Sequence, residues 1–300
     1  MIIIWYLCLI NQYITCSFKA QSFFQTEIYK NMTVNTLTQI FFSPTGTTRQ
    51  ILSAIGQGIN ADEIIGYDLT PPENRDNFQL ALEQEDRLVL LGVPVYEEHV
   101  PDLIWDTLNR IEANGQPIIL VAVYGNIGFG LCLKELEAWA KRVGFNVIAA
   151  GAFIGEHSFS HKGLPLGEGR PDIEDIKFAR EFGASVLAKI QHDIPLNPDI
   201  SGHLSLLSQI LPKNSAKLFA HYPEADMKKC TRCMRCLNVC PSGAIDLGTL
   251  KIDHSLCLHC FACVRVCAPS ARKIKLKLKT MVKTVLKAQT KKRKIPELFL

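Results

Sequence analysis

Between residues 230 and 267 the spacing Cys-x2-Cys-x2-Cys-x3-Cys occurs twice, as Cys230, Cys233, Cys236, Cys240 and as Cys257, Cys260, Cys263, Cys267. Pro241 directly follows the first run; in the second, Ala268 comes before Pro269. Three thiols in so tight a run hold three corners of an iron–sulfur cube, and the fourth corner comes from elsewhere. Structural zinc is one alternative. It takes two separated Cys pairs to close one tetrahedron, and the third Cys of each run has no place in that scheme. Disulfides are the other. They suit a small secreted domain, whereas this chain has 300 residues and only 11 Cys, most of them in these two runs. The spacing favours two [4Fe–4S] clusters over zinc, and the free thiols point to a reducing cytoplasm.

The stretch resembles bacterial-type ferredoxins, in which the last Cys of each run ligates the cluster of the other. That resemblance implies one cluster on Cys230, Cys233, Cys236 and Cys267, and a second on Cys257, Cys260, Cys263 and Cys240. Lys228, Lys229, Arg232, Arg235 and Arg265 flank these ligands. Cations there favour the more negative reduced state and raise the potential, or they form a docking face or a solvated surface. Ser242-Gly243-Ala244-Ile245 and Pro269-Ser270-Ala271 read as the small turns covering each cluster.

The first half of the chain alternates strands with helices. Strands are expected at 38–42, 64–67, 87–93, 117–123 and 145–150, and helices at 50–59, 102–112, 131–143 and 172–190. Arg87 to Val93 is apolar enough to be buried on both faces. Alternation of this kind implies a parallel sheet covered on both sides, with ligands beyond the carboxyl ends of its strands. Loops 43–48, 93–100 and 124–130 meet there. The first is Ser43-Pro44-Thr45-Gly46-Thr47-Thr48, between a strand and a helix. Amides at a helix N-terminus favour an anion, and hydroxyls add donors without charge. The loop lacks the Walker lysine, so a phosphate monoester fits better than nucleotide triphosphate hydrolysis; the alternative is a turn with a Thr helix cap.

This domain resembles a flavodoxin, a doubly wound α/β fold with a five-stranded parallel sheet. The resemblance implies that Ser43, Thr45, Gly46, Thr47 and Thr48 hold the phosphate of FMN. Pro94-Val95-Tyr96 and Tyr124-Gly125-Asn126 fall where flavodoxins flank the isoalloxazine ring, so Pro94, Tyr96, Tyr124, Gly125 and Asn126 are candidate ring contacts. Tyr96 and Tyr124 are equally candidates for the core. Gly125, Gly128 and Gly130 would let backbone amides approach the ring. His157 and His161, in the Gly155-to-His161 loop, are candidate acid–base groups, against a plain polar loop beside the cofactor.

Charge is unevenly placed. Residues 271–300 hold eleven Lys or Arg and one Glu, so in a chain of net +4 the remainder is acidic. The basicity belongs to the tail and marks no nucleic-acid-binding body. The tail is expected to pack loosely on the cluster domain as a solvated end; contact with an anionic membrane or acidic partner is the disfavoured reading. Residues 1–31 read as an over-extended frame with Met32 as the start, against a membrane-associating leader. The expected domains are a flavodoxin-like unit over 36–190, a linker over 191–220 with a short helix near 204–211, a small α+β two-cluster ferredoxin unit over 221–270 and the tail from 271. From 38 to 300 the chain resembles EFR-type ferredoxins, which carry an N-terminal flavodoxin domain. Domain order, the phosphate loop, Gly155-Glu156-His157-Ser158 and Pro296-Glu297-Leu298-Phe299 carry that likeness. It implies FMN and two cubanes in one chain; because a flavin exchanges two electrons singly and a cubane one, electron transfer between the clusters and FMN is the expected function, with a protein or small-molecule redox partner. A flavin-dependent reductase fed by the clusters and a non-enzymatic redox sensor or scaffold are the alternatives.

Overall fold

The computed structural model describes residues 34–82, 87–192, 198–210 and 215–300. The expected start at Met32 and all of residues 1–31 lie outside them, as do parts of the linker. In chain order the first domain contains β1 (Thr36–Phe41), α1 (Thr47–Ile59), β2 (Glu63–Asp68), α2 (Glu73–Asp76), β3 (Leu80–Ala81), β4 (Arg87–Pro94), a 3-10 turn (Asp102–Ile104) and α3 (Trp105–Leu108). β5 (Ile111–Glu112), β6 (Pro117–Tyr124), α4 (Cys132–Arg142), β7 (Asn146–Ile154) and α5 (Ile173–Gln191) complete it. Then come α6 (Leu206–Ile210), α7 (Ala216–Phe219), α8 (Arg235–Asn238), α9 (Ala262–Arg265), α10 (Lys279–Thr290) and β8 (Glu297–Phe299).

The main sheet has the order β2-β1-β4-β6-β7-β8. Its first five strands are parallel. Counting only those five in chain order, the arrangement is 2-1-3-4-5, the flavodoxin-like winding. β6 is buried at every position and β4 at all but its first, as strands covered on both faces must be. On one face Val89, Leu91 and Leu120 pack with Leu133, Leu136 and Trp139 of α4. On the other, Leu88, Leu90 and Ile119 pack with Ile51 and Ile55 of α1 and Phe182 and Val186 of α5. Helices α1 and α5 approach closely at two glycines: a Cβ on Gly58 would stand 2.0 Å from the Arg180 carbonyl oxygen, and one on Gly183 would stand 2.2 Å from that of Ile55. α5 begins with a reciprocal cap. Asp172 accepts from the amides of Glu174 and Asp175, and Asp175 accepts from the amide of Asp172, satisfying donors the helix leaves open.

Two expectations need correction. The helix expected over 102–112 breaks up into the 3-10 turn, α3 and β5. β5 pairs with β3 in a two-stranded sheet through Leu80↔Ile111, so tertiary pairing overrides the helical spacing of the apolar residues. The tail is not a loose end on the cluster domain. It returns to the first domain as α10, and β8 adds a sixth, antiparallel strand beside β7 through Gly151↔Leu298. On the way Arg293 pairs with Asp172 at 2.6 Å and with Glu174 at 3.1 Å. The sheet edge next to β7 is thereby covered. Among the described residues no helix is long and apolar enough to cross a membrane.

In the second domain α8 and α9 are equivalent turns, each entered through a left-handed residue, Met234 (φ 58°) and Phe261 (φ 56°). Ala244, Ile245, Leu250 and Ile252 form its small core, against which Cys230, Cys236, Cys240 and Cys257 pack. The domain docks on the first through an apolar cluster, in which Phe261 packs on Phe159 with ring centroids 5.3 Å apart, and through two arginines. Arg265 donates to Glu156 at 2.8 Å and to the His157 carbonyl oxygen at 3.2 Å. Buried Arg75, held by the Leu69 and Thr70 carbonyls, also donates to the Pro241 carbonyl.

Candidate functional site

The eight cysteines partition into two cavities. One is lined by Cys230, Cys233, Cys236 and Cys267, the other by Cys240, Cys257, Cys260 and Cys263. These are the crossed sets that the ferredoxin resemblance implies. All eight are free thiols. Among the described residues, no three His, Cys, Asp or Glu side chains close on a single metal ion; each set instead surrounds a cavity, which suits a cube better than one zinc. The backbone wraps each run through left-handed residues, Arg232 and Met234 in the first and His259 and Phe261 in the second. That wrapping turns the thiols of one short run toward a common centre. The two cavities differ in exposure. Cys233 of the first is exposed, whereas Cys260 and Cys263 of the second are buried, and burial pushes the Cys260 thiol up to about 12.

A third, larger cleft lies at the carboxyl ends of the strands, where this winding places its ligand. Thr45 and Thr47 line it from the loop before α1, Pro94, Tyr96, Glu97 and Glu98 from the loop after β4, Tyr124 and Gly125 from the loop after β6, and His157 from the loop after β7. Ser43, Gly46 and Thr48 belong to the first loop but do not line the cleft. The Ser43 hydroxyl accepts from the Arg49 amide at 3.1 Å. Gly46 is the N-cap of α1 at φ 82°, with no side-chain cap on it. The Thr48 hydroxyl is buried with no partner. The Thr45 and Thr47 hydroxyls stand 3.4 Å apart at the start of a 13-residue helix. Neutral hydroxyls at a helix start are the arrangement that the sequence reading expects of an anion site.

The ring-side residues divide. Tyr96 is half-buried and its phenol is pushed up by burial, with Cys260 of the second cysteine set nearby. Tyr124 is a core residue: its ring packs on Phe129 with centroids 5.9 Å apart, and Lys294 lies over it at 5.8 Å. Asn126, expected at the cofactor, holds the tail instead. Its side-chain amide donates to the Thr290 and Lys292 carbonyls at 3.1 and 3.0 Å, and its oxygen accepts from the Lys294 amide at 3.1 Å. Gly125 packs on His157, whose Cδ2 a Cβ would meet at 2.6 Å. Gly128 lines the cleft and Gly130 lies against Glu98. His161 does not line the cleft; its Nδ1 stands 2.9 Å from the Phe159 carbonyl oxygen. His157 Nδ1 accepts the Phe159 amide at 3.0 Å, so the ring's own proton sits on Nε2. Burial, then the field of Arg265, lowers His157 to about 4. It is neutral near pH 7, so its Nε2–H can serve as a hydrogen-bond donor and the ring carries no imidazolium proton to deliver.

Sequence reasoning missed the walls that come from outside the first domain. Ser205, Ser208, Ser215, Ala216 and Phe219 of the linker line the cleft, with Leu286 and Gln289 of α10. The linker is pinned by two carboxylates at the tip of the β4 loop. Tyr96 and His99 bridge across a two-residue turn with Glu97 and Glu98 both left-handed, at φ 54° and 69°, a turn that ordinarily takes Asn-Gly. Glu98 accepts from the Ser205 amide and Glu97 from the Ala216 amide, each at 2.7 Å. Leu258 and His259 of the second domain also line the cleft. Leu258 in addition lines the cavity of the second cysteine set, so one side chain forms a wall of both.

Residues 222–279 match a family described as the 4Fe-4S dicluster domain. No curated relative matches the chain. Among solved structures, oxidised flavodoxin 2 from Bacillus cereus is similar at 15% identity and TM-score 0.38, over 51% of this chain and 99% of its own. A Fusobacterium nucleatum flavodoxin bound to flavin mononucleotide is similar at 18% identity and TM-score 0.34, over 52% and 96%. A flavodoxin from the domain Archaea is similar at 16% identity and TM-score 0.35, over 52% and 98%. Strand order in the first half and the matched cysteine domain in the second lead to one conclusion: the chain joins a flavodoxin-like parallel α/β domain to a 4Fe-4S dicluster ferredoxin domain.

Proposed function

We propose that this chain carries electrons between two [4Fe–4S] clusters and an FMN held in the same molecule. The observation that carries the proposal is Leu258, a shared wall of the large cleft and of the second cysteine cavity. In this reading Cys230, Cys233, Cys236 and Cys267 hold an outer cluster, and Cys240, Cys257, Cys260 and Cys263 an inner one. Thr45 and Thr47 hold the FMN phosphate, with the N-terminus of α1 behind them. Pro94, Tyr96 and Gly125 lie beside the ring. The linker and α10 exclude water from the cleft. Bound FMN exchanges two electrons singly and a cubane exchanges one, so the pair converts between one- and two-electron chemistry. His157 presents an Nε2–H to the cleft, and none of these residues has to deliver a proton.

The external partner engages the outer cluster, where Cys233 is exposed. Lys228, Lys229, Arg232 and Arg235 are exposed around it, so the charge there suits an acidic one-electron carrier.

Anaerobic purification with flavin, iron and sulfide analysis tests the inventory, and stopped-flow reduction tests the connection. The expected result is flavin and both clusters in one chain, with flavin reduction slowed at least tenfold in Cys260→Ser. Iron and sulfide without flavin, or flavin reduction at an unchanged rate in that variant, would end the proposal.

A further inference from the structure

We infer that Arg272 is a counter-ion shared by both clusters, and that its charge raises both reduction potentials. The inference rests on the cluster reading of the two cysteine sets. Arg272 is only 2% exposed. Its Nη1 donates to the Pro223 carbonyl and its Nη2 to the Leu250 carbonyl, each at 2.7 Å. Its Nε–H is buried with no protein acceptor. Among the described residues no carboxylate is within ion-pair distance of it. A guanidinium does not lose its proton in a protein. Carbonyl dipoles solvate its charge without neutralising it, and a buried charge without a counter-charge is strongly destabilising.

The surroundings identify the missing anion. Arg272 lines the outer cavity together with Cys230, Cys233, Cys236 and Cys267, and its own amide donates to Cys267 Sγ at 3.3 Å. Pro223, whose carbonyl accepts from Arg272 Nη1, lines the inner cavity with Cys240, Cys257, Cys260 and Cys263. One buried cation therefore acts on both sites where thiolate-ligated cubes would carry negative charge. Taking up one electron adds one negative charge to a cube, so a fixed cation stabilises the reduced form more than the oxidised one. The exposed Arg232 and Arg235 act through water and salt, whereas Arg272 acts where screening is weak.

The experiment compares wild type with R272Q and R272K, each purified anaerobically, by redox titration monitored by electron paramagnetic resonance. Iron and sulfide analysis precedes it. Wild-type protein without iron and sulfide would refute the cluster reading itself, separately from this inference. The backbone N–H bond to Cys267 Sγ survives both substitutions, and R272K, which keeps the charge without the fork that reaches both carbonyls, separates charge from hydrogen bonding. R272Q is expected to lower both potentials, the outer one further, by at least tenfold in the one-electron equilibrium constant, or about 59 mV. R272K is expected to stay near wild type. Unchanged potentials in R272Q, or an equal fall in R272K, would overturn the inference. Should R272Q lose iron, R272K decides: potentials near wild type support the shared counter-ion, and a tenfold fall despite the retained charge refutes it.

Discussion

His157 is the residue where burial sets the chemistry most directly. Desolvation and then Arg265 lower its basicity to about 4, below the ordinary 6.5 of an imidazole. The unfolded chain then takes up this proton at higher pH than the folded one. The stability that the neutral ring contributes is present above about 6.5 and is lost as pH falls through 4. Nuclear magnetic resonance of the imidazole ring should therefore show no inflection for His157 between pH 5 and 8; one near 6.5 would put the ring in water. A second residue-scale expectation concerns Asp175, 1% exposed, which accepts from Arg170 Nε at 2.7 Å and from its Nη2. Asp175→Ala strands a buried guanidinium and should cost about 3–5 kcal/mol, read as a lower midpoint in urea. The cysteine sets were legible because cluster chemistry dictates their spacing. The place of Thr45 and Thr47 on the cleft was legible because a loop between a strand and the following helix falls at the carboxyl end of a parallel sheet. The role of Asn126 was not, since the carbonyls it holds lie 164 and 166 residues away.

At the scale of elements, β4, β6 and β7 were readable because strands covered on both faces are near-continuous apolar runs, and β1 because its Ile40-Phe41 end leads straight into the hydroxyl-rich loop. β8 was not. Glu-Leu-Phe is too short to carry a pattern, and its pairing with β7 is set by where α10 delivers the chain. The same holds for β3 and β5, two residues each, and for the linker's pinning by Glu97 and Glu98. These features have a consequence for ligand retention. α10 supplies Leu286 and Gln289 to the cleft, and β8 covers the β7 edge. Truncation after Lys277 should weaken flavin retention at least tenfold and expose the edge strand to self-association. Equilibrium dialysis and light scattering check the two effects. Retention and monodispersity equal to the full chain would show that the tail only decorates the sheet.

Across the whole molecule the two cysteine sets differ in exposure, the outer open at Cys233 and the inner buried at Cys260 and Cys263, and a cleft walled by four parts of the chain lies beside the inner one. The order of these units along the sequence was legible; their apposition was not, because it is set by contacts between residues far apart in the chain, such as Phe159 with Phe261, Arg265 with Glu156 and Arg75 with the Pro241 carbonyl. The proposed docking face is the one where exposure and positive charge coincide. The exposed Lys228, Arg232 and Arg235 stand beside the open cavity, and a reduced acidic flavodoxin serves as the probe. Opposite charges accelerate encounter, and salt screens that attraction with a Debye length of about 10 Å at 0.1 M. Cluster reduction by the probe should therefore slow as salt rises. In Arg232→Glu/Arg235→Glu the attraction weakens, so the rate at low salt should fall at least tenfold and its salt dependence should flatten. Both arms are read by stopped-flow absorbance, with iron content confirming that the clusters are intact. A rate insensitive to salt in the wild type would move the docking site away from this face.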